Sequence, residues 1–167
     1  MSNLVPTEAI ATKILIIRGK RVMLDSDLAV LYEVRTKRLN EQVARNKKRF
    51  PEDFMFQLTE EEADFLRSQN ATSKRGGRRY FPYVFTQEGV AMLSSVLNSE
   101  RAIMVNIQIM RAFAQLRRML LTNVSLKRKI EEMERKYDKQ FVIVFQAIKQ
   151  LLEPSSDKER RIIGFHS

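Results

Sequence analysis

The apolar residues of this chain switch between strand-like and helix-like spacing in an order that never repeats as β-α-β, and that order limits the fold more than any single motif does. Residues 13–18 (KILIIR) and 20–24 (KRVML) are β-prone runs parted by Gly19, which predicts a tight hairpin. In DSDLAVLYEVRTKRLNEQVARN, beginning at Asp25, the positions Leu28, Leu31 and Tyr32 and then Leu39 and Val43 recur at helical spacing. A break near Val34 and a fresh cap at Thr36 make this two short helices joined by a tight turn. Pro51 stops what precedes it, and residues 54–58 (FMFQL) read as a short strand. Thr59 followed by Glu60, Glu61 and Glu62 is a capping-box start for a helix over 60–69. Residues 70–79 (NATSKRGGRR) form a basic, glycine-containing loop, and 80–85 (YFPYVF) an aromatic strand in which Pro82 requires an edge or a bulge. Thr86 then caps a helix to Leu97, and Ser99 caps a longer one over 100–121. The expected fold class is α+β, one domain over residues 13–121 behind an N-terminal tail, 1–12.

Beyond Asn123 the pattern changes. Leu126, Ile130, Met133, Tyr137, Phe141, Val144, Ile148 and Leu151 follow spacings of three and four, a near-heptad seam that predicts a coiled-coil helix over 124–153 and a homo-oligomer built through it. The segment FVIVF at 141–145 is apolar all round, which a two-stranded seam does not need, so a wider bundle or packing of this helix back on its own domain is the rival. Pro154 ends the helix and leaves a C-terminal tail, 154–167.

Composition removes whole classes of chemistry. The 167 residues contain no Cys and a single His, His166, so thiol nucleophiles, disulfides and Cys-ligated metals are excluded and an imidazole-based triad lacks its scaffold. No cofactor, no metal and no enzymatic activity are expected. No apolar run reaches the ~18 residues of a membrane span, and residues 1–12 lack the features of a signal peptide, which points to a cytoplasmic protein with no membrane partner. A formal net charge of +10 is a standing self-repulsion that a polyanion relieves.

Distribution makes the charge informative. From Val34 to Phe50 stand Arg35, Lys37, Arg38, Arg45, Lys47, Lys48 and Arg49 against one acid, Glu41. Counting a twenty-residue helix-turn-helix window from Asp25, the core positions hold Leu28, Ala29, Tyr32, Val34 and Leu39. Glu33 departs from it where the turn favours Gly, and Val43 is apolar one position late, after Gln42. The second helix offers cations for phosphates, and Thr36, Asn40 and Gln42 for base edges. A solvated basic helix of an ordinary fold would carry the same residues. Lys74, Arg75, Arg78 and Arg79 surround Gly76 and Gly77, so this loop suits a DNA-contacting wing as well as a plain surface loop. Phe50, Phe54, Phe56, Tyr80, Phe81, Tyr83 and Phe85 alternate as core residues do, rather than as a base-stacking platform; Met104, Met110 and Met119 read as core filler. Glu60, Glu61, Glu62 and Asp64 suit a helix start without any catalysis.

The run LAVLYEVRTKRLNEQVARNKKRFPEDFMFQLTEEE (28–62) and RYFPYVFTQEGVAMLSSVLNS (79–99) resemble the KilA-N type DNA-binding domain, in the branch named after an N-terminal phage open-reading-frame domain. The resemblance implies an α+β module of phages, prophages and large DNA viruses, often antirepressor-like or regulatory, with motif positions at Leu39, Asn40, Arg45, Asn46, Arg49, Phe50, Pro51, Phe54 and the helix starting at Thr86. The expectation is therefore a double-stranded DNA-binding regulator of transcription or antirepression. Its contacts are assigned from the basic pattern to Arg35, Thr36, Lys37, Arg38, Asn40, Gln42, Arg45, Lys47, Lys48, Arg49 and the four cations of the loop. The alternative is an antirepressor whose basic face docks a repressor or host protein, with DNA secondary.

Overall fold

The computed structural model describes residues 6–69, 81–137 and 142–144. The chain runs α1 (Thr7–Ala11), β1 (Leu15–Ile17), β2 (Lys20–Leu24), α2 (Asp25–Tyr32), α3 (Thr36–Arg45), a 3-10 turn (Lys47–Arg49), β3 (Met55–Gln57), α4 (Glu60–Gln69), β4 (Tyr83–Thr86), α5 (Gln87–Leu97), α6 (Glu100–Thr122), α7 (Val124–Tyr137) and β5 (Val142–Val144). The class is α+β, with an antiparallel sheet in the order β3-β4-β2-β1-β5.

Arg18 and Gly19 turn the β1–β2 hairpin, both at positive φ (56° and 74°), as a two-residue primed turn requires. Both faces of the sheet are covered. Ile16, Met23 and Phe85 join the main core with α1, α2, α5 and α6, while Leu15, Ile17, Val22 and Val84 pack with Leu58, just after β3, and with Leu66 of α4. This two-sided burial explains why KILIIR is continuously apolar rather than alternating. β4 is internal, and Pro82 is tolerated because it precedes the strand, where its carbonyl accepts from Leu58 N at 2.9 Å. Thr59 and Glu62 close the expected capping box in both directions, at 2.8 and 3.1 Å. Thr86 and Ser99 cap α5 and α6 through Gly89 N and Ala102 N.

Several expectations are corrected. Residues 1–12 are not simply a tail: α1 buries Ile10 and Ala11 to 1% exposure and packs along α6, because Pro6 is followed by a small amphipathic turn. α7 ends its described helix at Tyr137, and residues 142–144 pair antiparallel with β1 (Ile16 opposite Ile143), so no continuous helix runs to Leu151. β-Branched residues suit the otherwise open edge of β1 better than a helix. The first two seam positions, Leu126 and Ile130, are buried in the main core, which is the fold-back arrangement. Met104 is exposed, unlike Met110 and Met119, which do pack on the core.

Candidate nucleic-acid interface

The turn between α2 and α3 carries the departure noted in the sequence. Glu33 itself adopts the left-handed conformation (φ 62°, ψ 44°) that Gly favours there. Val34 N donates to Ala29 O at 3.0 Å and Glu33 N to Val30 O at 3.1 Å, the paired bonds of a Schellman ending. Arg101 of α6 secures the same end, donating from Nε to Leu31 O at 3.1 Å and pairing with Glu33 at 3.2 Å. Leu28, Ala29, Tyr32 and Leu39 are all at or below 4% exposure, and Val34 packs against the core, so the helix-turn-helix window is filled as its spacing requires. Tyr32 donates to Asn106, which donates on to Val90 O at 2.7 Å; burial pushes the phenol well above its usual range.

α3 buries only Leu39 and Val43. Lys37, Arg38, Glu41 and Arg45 are exposed, as are Arg35 before it and Lys47, Lys48 and Arg49 after it; Thr36 and Gln42 are half-buried. Thr36 is the first helical residue, with Arg35 in the capping position. Asn46 ends the helix at φ −118°, not in a left-handed turn, and does so by donating from Nδ2 to Gln42 O at 2.8 Å. The three-cation turn is then pinned by Phe50, which is 5% exposed and meets Phe85 edge to face at 5.9 Å. Arg49 leans over α5, with Nη1 3.5 Å from Ser95 Oγ. Cations on an anchored turn lose less freedom when a phosphate arrives.

Asn40 departs from its expected place among the base readers. Its Nδ2 donates to Asp25 Oδ2 at 2.9 Å, so the fold already uses this amide. Asp25 is fully buried, receives Ser26 N at 2.7 Å on Oδ1 and Tyr83 N at 3.3 Å on Oδ2, and thereby joins α2, α3 and β4. Burial raises its carboxyl above the usual range, and these three donors oppose that shift. Nothing in the sequence pattern marked Asp25 as more than a helix start. Lys74, Arg75, Arg78 and Arg79 lie outside the described residues.

Away from α3, Arg18 at the hairpin tip forms a two-pronged pair with Glu62, both contacts at 2.9 Å, and lies 4.3 Å from the Phe56 ring centre. Glu62 is thus a structural carboxylate: burial pushes its pKa up, but Arg18 and the Thr59 N–H outweigh burial and hold it below the usual value. An open cleft of about 530 Å³ between the hairpin, α5 and α7 mixes Lys20, Arg21 and Lys127 with Asp53, Glu88 and Glu131 and does not touch α3. Among the described residues no cluster of three His, Cys, Asp or Glu can hold a metal ion, and no helix is long and apolar enough to cross a membrane.

One sequence-family model, described as ORF6N domain, matches residues 12–96. The chain belongs to the ORF6N domain family. This is a phage open-reading-frame type of domain, and the matched segment runs from the end of α1 to the last turn of α5, enclosing the whole basic surface around α3. The ORF6N segment does not complete its core alone: Ala102, Val105, Ile109, Phe113 and Leu116 of α6 close it from outside the matched range. No curated protein and no solved structure matches the chain.

Proposed function

We propose that this ORF6N protein binds double-stranded DNA as a regulator of phage or prophage type, related to the KilA-N group, with α3 and the turn at 47–49 as its contact surface and no chemistry of its own. One observation carries the reading: α3 commits only Leu39 and Val43 to the core and turns its cations outward, in continuity with Lys47, Lys48 and Arg49. Glu41 is the single acid in that surface. A helix held by a Schellman turn and an anchored exit offers backbone-positioning contacts first, since cations on a rigid element meet phosphates at low ordering cost. Thr36 and Gln42, in the first turns of α3, then reach base edges, while Asn40 serves the fold. Lys74, Arg75, Arg78 and Arg79, four further cations in the sequence, add phosphate contacts.

The test is duplex binding as a function of salt. Wild-type affinity falls steeply, and Lys37→Ala, Arg38→Ala and Arg45→Ala each flatten the slope by roughly 0.9 while the thermal midpoint stays within a degree or so, because exposed helix cations contribute little to folding. Indifference to DNA together with tight binding to an acidic repressor would replace this reading with the antirepressor one.

A further inference from the structure

Helix α6 carries large apolar residues on more than its core-facing side. One side is core, with Ala102, Val105 and Ile109 buried, yet Ile103, Met104 and Ile107 on another side are 51%, 37% and 48% exposed. Such neighbouring large apolar groups differ from the scattered exposed residues of an ordinary surface. At about 100° per residue, Ile103, Ile107 and Met104 share a stripe with Glu100 at its start and Arg111 at its end, both exposed. The order along the stripe is therefore acid, apolar, apolar, apolar, base.

We propose that this face of α6 is the contact between two copies of the chain, packed antiparallel about a two-fold axis between Val105 and Asn106. A two-fold contact demands a self-complementary surface, and this order is one: reversal sets Glu100 of one copy against Arg111 of the other. The same operation places Met104 on Ile107, closing the apolar centre between two ion pairs. A partner of different sequence has no need of that symmetry. The contact also has a consequence for α3. Arg101, next to Glu100, holds Leu31 O and Glu33 at the end of α2, so pairing two α6 helices fixes the two helix-turn-helix units relative to each other.

Sedimentation equilibrium of the full chain tests this. The expected wild-type behaviour is a reversible dimer. Arg111→Glu, which sets acid against acid, and Ile107→Asp each weaken it by at least about tenfold in dissociation constant. Glu100→Lys combined with Arg111→Glu restores it, and circular dichroism melting shows that each variant is folded. A monomer at every concentration up to the millimolar range overturns the proposal, whether the face is bare or covered by another protein. A dimer that both single variants leave intact overturns it too, placing the second copy elsewhere, and failure of the double variant to recover overturns the antiparallel register.

Discussion

Asp25 and Asn40, fifteen positions apart, are joined by a 2.9 Å hydrogen bond between a fully buried carboxylate and the middle of α3. Tyr83 N reaches the same oxygen, so the orientation of α3 and the start of β4 are set by one side chain. The position of the basic helix is thus a property of the core.

Replacing Asn40 with Asp exchanges a donor for an acceptor at nearly constant shape. Asp25 then faces a second carboxylate, and the expected loss at neutral pH is on the order of 1–3 kcal/mol, the cost of a buried polar group deprived of its partner. Acid restores a donor to the pair. Because burial raises the Asp25 carboxyl, its folded form takes up a proton more readily than its unfolded form, so its contribution is greatest in acid and is lost as pH rises through the folded value. Thermal melts of wild type and Asn40→Asp should therefore converge as pH falls toward about 4. A gap that widens in acid would contradict the assignment.

Glu62 carries the opposite sign. Its pKa is held below the usual 4.5, so its stabilisation is present above that value and is lost as pH falls through the lower, folded one. Glu62→Gln keeps a side chain able to cap α4 and removes only the charge. With the Arg18 side chain 38% exposed, solvent screening limits the expected cost at pH 7 to about 1–2 kcal/mol. Urea titrations of both proteins at pH 7 and in acid check this: the difference should shrink in acid, and a pH-independent difference would assign the loss to the cap instead.

Gly89 is fixed by a close approach. A Cβ there would stand 2.0 Å from Phe54 O, a backbone atom that also accepts Thr86 N at 3.0 Å. Neither group has room to give. Gly89→Ala should cost at least about 1–3 kcal/mol, the usual range for overpacking, and it should loosen the segment that follows the basic turn. Equilibrium unfolding measures the first effect; wild-type stability in the variant would mean that α5 slides without penalty.

Local chemistry made much of this fold legible. Gly19 marked the hairpin, Thr59, Thr86 and Ser99 marked helix starts, and the window from Asp25 gave the α2–α3 pair, because caps and turns are decided within four residues. Glu33 showed only as a departure; its neighbours on α2 and Arg101, 68 positions on, hold it in the left-handed conformation. Pairings at long range were invisible. Arg18 with Glu62 and Asp25 with Asn40 and Tyr83 depend on which elements become neighbours, and no spacing rule supplies that. The seam beyond Leu126 misled for the same reason. Apolar residues every three or four positions say that a helix face is buried without saying against what, and here Leu126 and Ile130 face their own domain. Of the candidate surface, the run of cations on α3 and its exit was legible and is exposed in the fold, but the engagement of the Asn40 amide with Asp25 was not legible.

The anchor of the basic turn separates charge from positioning. Phe50 brings no charge, but its ring is buried and meets Phe85 edge to face at 5.9 Å, immediately after Lys47, Lys48 and Arg49. Phe50→Leu keeps every cation and most of the apolar volume while removing the ring contact, for an expected stability loss of about 1–2 kcal/mol. If the turn works by presenting preordered cations, this variant binds duplex DNA several-fold more weakly with an unchanged salt slope, since the number of phosphates met is the same and only the ordering cost has grown. Lys47→Ala with Lys48→Ala should do the reverse, leaving the melting temperature in place and flattening the slope by roughly 1.8. Paired filter-binding and melting measurements distinguish the two signatures. A Phe50→Leu protein that binds as well as wild type would show that the turn meets DNA without needing its anchor.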